Sequence, residues 1–415
     1  MENISHILKS ASLATAEISG LSANMKQQIL EKLADELDAQ LDKIISENKK
    51  DLDSMPNADP KKDRLLLNEE RVNALAQSVR EVAVLEDPTH QILVERTLVN
   101  GLFLQKKTVA LGVVGVIYES RPNVTVDVAA LCIRSGNVCV LRGGSDADET
   151  NKCLVLIIQN VLKSFDLNPA IVQLLPVDRK FIEELLTADK YVDMIIPRGS
   201  QSLIDFVRKN AKVPVIETGA GVCHTYVESS GNLEKAAKII CNAKVSRPSV
   251  CNALDTVIMD EAISVDLIPQ MADLLKEYGV EIFADEKAYS ILNRINYPFL
   301  NKAEADDFGK EFLSLKCSVK IVDGLDEALA HIKEFSSKHS EAILSEDGIK
   351  IERFLNEVDA AVVYVNASTR FTDGCVFGLG AEIGISTQKL HARGPFALEK
   401  LVTEKWVVRG AGQVR

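Results

Sequence analysis

Residues 111–144 read LGVVGVIYESRPNVTVDVAALCIRSGNVCVLRGG, and this stretch decides the fold class. The apolar run at 111–118 predicts a strand, residues 123–136 have helical spacing and end at a glycine, and the run at 138–144 predicts a second strand. A strand, a helix and a strand in this order form a βαβ unit, whose strands are parallel. We therefore expect an α/β protein with a mostly parallel sheet.

The same alternation continues on both sides of a candidate domain boundary near ESSGNLEK (228–235). The first hundred residues are mostly helical in pattern, and RTLVNGLFLQKKTVA (96–110) predicts a strand pair that turns at Asn100-Gly101. The tail TEKWVVRGAGQ (403–413) predicts a last strand, which either pairs with a partner subunit or docks on its own chain. Further predicted strands are AIVQLLP (170–176), VDMIIPRG (192–199), VPVIET (213–218), TYVES (225–229), TVIMD (256–260), KCSVKIV (316–322), SEAILS (340–345) and DAAVVYVN (359–366).

Composition limits the classes of protein to consider. The 415 residues are enough for about two to three domains of roughly 150 residues each. A net charge of −12 argues against a general binder of nucleic acid or of acidic membrane surfaces. There is no secretory signal and no apolar run long enough to cross a membrane. The eight cysteines lack disulfide or zinc spacing, so we expect reduced thiols, no metal and a cytoplasmic protein.

Several glycine turns resemble phosphate loops, but none completes a motif. There is no GxGxxG that opens a helix after a strand and no GxxxxGK[ST]. In IIPRGSQSLIDF, Gly199 and Ser200 stand between a strand and a helix start, where free N–H groups suit an anion such as a pyrophosphate. On this evidence alone an ordinary βα turn is the better explanation.

Cys251 lies in SRPSVCN (246–252), between a helix-like and a strand-like run. Most free cysteines are small buried hydrophobes. Polar neighbours and Arg247, which favours the thiolate, support a nucleophile equally well. Glu217 follows a predicted strand, and a solvated or turn-capping role is the better explanation for it. In STQKLHARGPFALEKL (386–401), a basic surface loop is preferred over an anion-binding loop.

Taken together, these segments resemble the gamma-glutamyl phosphate reductase family, a branch of the aldehyde dehydrogenase superfamily. The resemblance runs from about residue 105 to the end of the chain, and the total length also fits. SRPSVCN and STQKLHARGP are its most specific segments. The segments that carry it, in order, are GVVGVIYESRPNVT, LRGGSDA, PRGSQSL, ETGAGVCH, SRPSVCN, YVNASTRFTDG and GLGAEIGISTQKLHARGP.

The resemblance implies two Rossmann-like α/β domains and a small β arm for oligomerisation. A cofactor domain would span 1–227, with 97–116 contributing to the arm, and a catalytic domain would span 228–365. Residues 366–400 would return to the cofactor domain, and 401–415 would form the C-terminal strand of the arm. A homo-oligomer, dimer or tetramer, is implied.

The resemblance also implies a reaction. L-glutamyl 5-phosphate would be reduced with NADPH to L-glutamate 5-semialdehyde and phosphate, in proline biosynthesis. Channelling of the acyl phosphate from glutamate 5-kinase is one option. An acyl phosphate has a good leaving group, so a cysteine thiolate can displace phosphate to form a thioester, which hydride then reduces.

The resemblance assigns roles to individual residues. Cys251 matches the nucleophile, and Asn123 matches the side-chain donor of the oxyanion hole. Glu217 has the spacing of the superfamily's general base, but a reductase of acyl phosphates has no water-activating step, so only its position is similar. Cofactor contacts are expected from Gly199 and Ser200 at the pyrophosphate, Arg142 and Ser145 at the adenosine ribose or 2′-phosphate, and Glu311 at the nicotinamide ribose. Candidates for the substrate's phosphate and α-carboxylate are Arg121, Arg247, Arg370, Lys389, His391 and Arg393.

Two alternatives stay open at this stage. One is an aldehyde dehydrogenase that oxidises a free aldehyde to an acid, which Glu217 favours and which SRPSVCN and LHARGP oppose. The other is a non-catalytic dinucleotide-binding scaffold, which binds NADPH without turnover. Dependence of NADP reduction on phosphate separates the first from the reductase, and the Cys251→Ser variant separates the second.

Overall fold

The computed structural model describes residues 3–56 and 62–415. It divides into two compact units: unit 1 spans Met1–Thr218, Gly378–Gly384 and Pro395–Arg415, and unit 2 spans Gly219–Phe377 and Ile385–Gly394. The sequence predicted the first boundary between 227 and 228 and the return at 366. The compact units divide at Gly219, because the strand that begins at Cys223 pairs within the sheet of unit 2, and unit 1 resumes at Gly378.

The helices of unit 1 bury apolar stripes of helical period. On the second helix, Ile29, Leu33 and Leu37 are fully buried, and the Ser22 hydroxyl caps its start by accepting from the Met25 N–H at 3.2 Å. The described helices of this unit are α1 Ser5–Ser19, α2 Ala23–Ala39, α3 Leu41–Asp53, α4 Lys62–Leu65, α5 Glu69–Val84, α6 Asn123–Arg134, α7 Asp148–Ser164, α8 Lys180–Leu186 and α9 Gln201–Asn210.

A three-stranded antiparallel sheet in unit 1 contains most of the two segments assigned to the arm, but residues 113–116 belong to a separate parallel sheet. The strands of the antiparallel sheet are β1 (Ile92–Thr97), β2 (Phe103–Ala110) and the last strand of the chain, β16 (Val402–Arg409), in the order β1-β2-β16. Gly101 has φ of +83°, as the predicted turn requires. The last strand therefore docks on its own chain, one of the two options that the sequence left open.

The second sheet of unit 1 is parallel, with the order β5-β4-β3-β6. All residues of β3 and β4 are buried, as expected for strands covered on both faces. This confirms the βαβ prediction from residues 111–144. The strands are β3 Val113–Tyr118, β4 Val138–Arg142, β5 Val172–Leu174 and β6 Met194–Arg198.

The predicted strand at 213–218 is wrong. Val215 forms an isolated bridge with Ile195 of β6, and Thr218 is a second isolated bridge residue, but the segment forms no continuous ladder. The Pro214 carbonyl accepts from the Ile195 N–H at 2.8 Å, but Pro214 has no N–H to extend a ladder. Glu217 therefore follows an irregular segment rather than a strand.

Unit 2 contains a seven-stranded, fully parallel sheet in the order β10-β9-β11-β8-β7-β12-β13. Helices cover both faces. One core cluster contains Met271 and Leu275, and the other contains Ile332 and Phe354. The strands are β7 Cys223–Val227, β8 Leu254–Asp260, β9 Glu281–Ala284, β10 Leu300–Lys302, β11 Lys316–Val322, β12 Ser340–Leu344 and β13 Val362–Val365. The helices are α10 Leu233–Val245, α11 Glu261–Glu277, α12 Glu286–Arg294, α13 Leu325–Phe335 and α14 Gly348–Glu357.

The carboxyl ends of β7 and β12 meet at a buried carboxylate. Glu228 accepts from the Ser345 hydroxyl at 2.8 Å and from the Ser230 N–H at 2.9 Å, and it pairs with Lys350. Burial opposes the charge of Glu228, but these partners outweigh it and hold the pKa of the carboxyl well below its usual range. This end of the sheet is thus occupied by a structural network.

Two short strands complete the fold, β14 (Glu382–Ser386) and β15 (Gly394–Ala397), and they pair with each other. Among the described helices, none is long and apolar enough to cross a lipid bilayer.

Candidate active site

The Cys251 loop joins the end of α10 to the start of β8, at the amino ends of the parallel strands. The thiol of Cys223, the first residue of β7, donates to the Cys251 carbonyl at 3.2 Å. Of the eight cysteines, six are buried, Cys375 is exposed and Cys251 is half-buried. The Cys251 side chain is therefore accessible, while the hydrogen bond from Cys223 holds the Cys251 backbone in place.

Gly221 fixes the loop from the side. A Cβ atom on this residue would lie 1.6 Å from the Cys251 carbonyl oxygen and 2.8 Å from the Cys251 Cα. Only glycine permits such an approach of two backbones. The glycines of ETGAGVCH, one of the segments that carry the resemblance, thus serve the cysteine, and this contact sets where the Cys251 backbone lies.

Asn252 anchors the other side of the loop. It is buried, and its amide donates to the Thr372 carbonyl at 2.8 Å and to the Arg370 carbonyl at 3.3 Å. In return the Thr369 hydroxyl donates to the Asn252 carbonyl at 2.8 Å. These bonds tie Cys251 to the segment 369–372, which comes more than a hundred positions later in the chain.

Two guanidinium groups lie beside this loop. Arg370 donates from Nε to the Ser246 hydroxyl at 3.1 Å and from Nη1 to the Asn252 side-chain oxygen. Its pKa is lowered by partial burial and by the positive charge of Arg247, while Cys251 acts in the opposite direction. Positive groups near a thiol favour its thiolate form. By contrast, burial raises the pKa of the Cys223 thiol far above its usual value, which makes Cys223 inert.

Glu311 lies in the same unit and accepts from the Gly221 N–H at 2.9 Å. Its carboxylate is therefore linked through Gly221 to the cysteine loop. The resemblance assigned Glu311 to the nicotinamide ribose, and that role stays a prediction.

The basic loop that the resemblance singled out is engaged by one carboxylate. Asp359 lies 3.0 Å from Lys389 Nζ and 2.8 Å from Arg393 Nη1. These partners lower the pKa of the Asp359 carboxyl to about 2. His391 is exposed and has φ of +64°, a left-handed conformation. Lys389 and Arg393 are thus held by an acid, and their predicted role in anion binding stays untested.

In unit 1, the predicted cofactor residues lie at the carboxyl end of the parallel sheet. Ser200 caps α9, and its N–H donates to the Glu119 carboxylate at 2.9 Å. A Cβ on Gly199 would lie 2.5 Å from the same carboxylate. A negatively charged oxygen therefore already lies at the start of this helix, where N–H groups and the helix dipole favour anions.

Arg142 ends β4 and is nearly buried. It donates to the Gly143 carbonyl at 3.1 Å and to the Val177 carbonyl at 2.5 Å, while its Nε has no partner. Burial and the neighbouring charge of Arg179 lower its pKa. Ser145, exposed, begins the short turn that leads into α7. Arg179 adds a second guanidinium here, and the sequence reading did not identify it.

Asn123 is the first residue of α6, with Pro122 before it and the half-buried Arg121 in the preceding loop. Its side-chain amide is exposed and donates to the Asp127 carboxylate at 3.0 Å, one helical turn away. Burial raises the pKa of Asp127 to about 6. Glu217 resembles the superfamily's general base in position only. Its Oε2 lies 3.8 Å from Nη1 of Arg208, on α9.

Besides Arg179, three residues that contact the predicted site residues were not identified from the sequence. Asp127 had a readable signal, because an amide and a carboxylate four residues apart on a helix meet on one face. Gly221 was included only as part of the segment ETGAGVCH. Glu119 had no local signal, since its contact with Ser200 depends on pairing between β3 and β6.

Comparisons with known proteins give one consistent picture. The aldehyde dehydrogenase family model matches residues 1–289. The chain is 54% identical over 415 residues to gamma-glutamyl phosphate reductase of Legionella pneumophila (strain Paris), covering 100% of this chain and 99% of the relative. It is 53% identical, with the same coverage, to gamma-glutamyl phosphate reductase of Chlorobaculum parvum. The crystal structure of gamma-glutamyl phosphate reductase from Thermotoga maritima superposes with a TM-score of 0.95 at 39% identity and covers both chains completely.

Proposed function

We infer the activity of this chain from the family to which it belongs, the gamma-glutamyl phosphate reductases, an aldehyde dehydrogenase type of oxidoreductase. We propose that it reduces L-glutamyl 5-phosphate to L-glutamate 5-semialdehyde, with release of phosphate, as a step of proline biosynthesis. The observation that carries the proposal is the half-buried Cys251 thiol, whose backbone is fixed by Gly221 and Asn252 and which has guanidinium groups beside it.

In the proposed first step, the Cys251 thiolate attacks the C5 carbonyl carbon of the acyl phosphate. A carbon–sulfur bond forms, the bond from carbon to the phosphate oxygen breaks, and phosphate leaves with the electron pair. The product is a thioester on Cys251. The rigid anchoring of the loop supports this role, because a nucleophile that is held in place loses less entropy on reaching the transition state.

The charge that develops on the carbonyl oxygen needs hydrogen-bond donors. We propose the Cys251 backbone N–H and the Asn123 side-chain amide for this purpose. Removing one such donor typically costs about 10²- to 10³-fold in kcat. After hydride addition, the thiohemiacetal collapses to the aldehyde and returns the thiolate.

NADPH is the proposed cofactor, and when bound it supplies the hydride. We propose the Gly199–Ser200 turn for its pyrophosphate, because N–H groups at the start of α9 suit an anion; the pyrophosphate would displace the Glu119 carboxylate that accepts from the Ser200 N–H. Arg142 and Arg179, with Ser145 nearby, offer the positive charge that a 2′-phosphate requires. Glu311 is proposed to orient the nicotinamide ribose.

Two arginines of unit 2 are proposed to hold the charged ends of the substrate. Arg247 is exposed and close to Arg370, so it suits the departing phosphate. Arg370, which shapes the loop through Ser246 and Asn252, is the candidate for the α-carboxylate.

The proposal is tested in the reverse direction, with glutamate 5-semialdehyde, phosphate and either NADP or NAD. We expect NADP reduction that requires phosphate and that is slower with NAD. Formation of an acid without phosphate would instead identify an aldehyde-oxidising enzyme and contradict the proposal.

The Cys251→Ser variant tests the nucleophile. We expect kcat to fall by at least about 10³-fold, because a serine hydroxyl is not ionised near neutral pH, while the Kd for NADPH stays within about twofold. Cys375→Ser, a change of the exposed thiol in the same unit, is the matched control and should retain activity. Equal activity of the Cys251 variant and wild type would refute the covalent route.

A further inference from the structure

We propose that Asp127 is a positioning residue that holds the Asn123 amide in the orientation needed to donate to the substrate oxyanion. The inference rests on the proposed function, since it assigns a purpose to a contact of the proposed oxyanion donor. It adds to the site a residue that does not itself touch the reacting atoms.

The geometry supports this role. Asn123 and Asp127 occupy the first and fifth positions of α6, so their side chains lie on one face of the helix. The Asn123 Nδ2 donates to Asp127 Oδ2 at 3.0 Å. One N–H of the amide is thereby fixed, and the direction of the other N–H is fixed with it because the amide group is planar.

An exposed asparagine without this contact would rotate freely about its last torsion angle, which has a broad energy profile. The Asp127 carboxylate restricts this rotation, because it accepts hydrogen bonds and donates none, and so it binds the N–H end of the Asn123 amide. It therefore presents the amide nitrogen, rather than the amide oxygen, on a defined side. Orientation of a donor before the reaction is what gives an oxyanion hole its effect.

The surroundings of Asp127 make its charge sensitive to pH near neutrality. Burial raises its pKa to about 6, and the groups that lower it are Asn123, Arg198 at the end of β6 and the Ser78 hydroxyl on α5. Above this pH the carboxylate is ionised and holds the amide nitrogen. Below this pH, the protonated carboxyl has an O–H that can donate to the Asn123 amide oxygen. Either end of the amide can then face Asp127, so the carboxyl no longer fixes the orientation of the amide.

The first test compares Asp127→Asn with wild type in the phosphate-dependent oxidation of glutamate 5-semialdehyde. We expect kcat to fall about tenfold at pH 7.5, with KM values for semialdehyde, phosphate and NADP within twofold. Asp205→Asn is the matched control, because Asp205 accepts from Gln201 at 3.0 Å with the same spacing on α9. It should retain wild-type kcat.

The pH dependence gives a readout that a merely structural role would not move. The ratio of wild-type kcat to Asp127→Asn kcat should shrink from about tenfold at pH 7.5 towards one below pH 6. Titrations common to both proteins cancel in this ratio. A ratio that stays constant over this range overturns the proposal.

A double-mutant cycle completes the design. In an Asn123→Ala background, Asp127→Asn should cause no further loss of kcat, because its effect passes through the missing amide. Additive losses of kcat in the double variant overturn the proposal. A rise in the KM for semialdehyde at constant kcat in Asp127→Asn also overturns it, because it would indicate that Asp127 binds the substrate's α-ammonium group. If Asp127→Asn does not fold, the ratio of wild type to Asn123→Ala should still shrink below pH 6. Lack of phosphate-dependent activity in wild type, by contrast, counts against the proposed function itself.

Discussion

Gly221 is the residue whose replacement should most directly disturb Cys251. In Gly221→Ala, the new Cβ would lie 1.6 Å from the Cys251 carbonyl oxygen, so one of the two backbones must move. We expect a loss of about 1–3 kcal/mol in the free energy of unfolding and at least about a tenfold drop in kcat. Urea unfolding and the phosphate-dependent assay measure the two effects.

The control for this change is Gly348→Ala. Gly348 begins α14 in the same unit, and a Cβ there meets nothing within 4 Å. Its stability should stay within about 0.5 kcal/mol of wild type. If both alanine variants behaved alike, the contact between Gly221 and Cys251 would have no part in shaping the site.

Individual residues show which parts of the site could be predicted from the sequence. The candidate nucleophile Cys251 could be named from SRPSVCN, and the structure places Arg370 and Arg247 by this loop. The bonds from Asn252 to the 370–372 segment could not be foreseen, because they join residues 118 and 120 positions apart. Such contacts depend on which strands become neighbours, and local pattern carries little of that information.

Helix α13 contributes a buried histidine with a consequence for stability. The His331 ring lies 4.7 Å from Phe335, 5.3 Å from Phe308 and 5.6 Å from His224, measured between ring centroids. Burial, and then the charges of His224 and Lys320, lower its pKa to about 3. In the unfolded chain a histidine titrates near about 6.5.

We therefore expect His331 to cost stability in acid. Between about pH 6.5 and 3 the unfolded state takes up a proton that the folded state refuses, so stability is full above this window and falls as pH falls through it. In His331→Phe this loss is absent, and the ring Nε2, which is buried without a partner, is removed. Between pH 7.5 and pH 5.5, the free energy of unfolding measured with urea should fall by about 1 kcal/mol more in wild type than in His331→Phe. Equal losses would contradict the assignment.

Elements were predicted well where their pattern was strong and their neighbours were local. The βαβ units of unit 1 and the hairpin at Gly101 were foreseen from apolar period and turn residues. Residues 281–302, which form β9, α12 and β10, were missed because these elements are short. The expected strand at 213–218 failed at Pro214, whose lack of an N–H interrupts the ladder, so that the segment forms isolated bridges only.

The whole molecule presents an apolar face on the sheet β1-β2-β16. Trp406 is 50% exposed and Val408 is 52% exposed, and they lie on one face because strand side chains alternate. Val94 of β1 is also exposed and lies on the same face, because Val94 and Trp406 both pair with Lys106 of β2. We propose that a second copy of the chain covers this sheet, since exposed apolar patches of this kind mark interfaces.

This proposal predicts an oligomer that one charge can weaken. Wild type should sediment at a multiple of the 45.5 kDa chain mass, and Trp406→Asp should shift towards a single chain. Ile349→Asp, the same kind of change at an exposed position on α14, should leave the sedimentation unchanged. A wild type that sediments as one chain at micromolar concentration would rule out the assembly.

Strand β2 pairs with β16, which is synthesised much later, and this imposes an order on folding at the ribosome. The Arg409 guanidinium donates to the Gln105 side chain at 2.7 Å across 304 positions of sequence. Until residues 402–409 have left the exit tunnel, one edge of β2 waits without its backbone partners, while the segment Gly219–Phe377 has emerged entire. Most of unit 2 can therefore pack before β16 is available, whereas unit 1 must keep an open edge, a template for pairing with neighbouring nascent chains, until residues 402–409 have emerged.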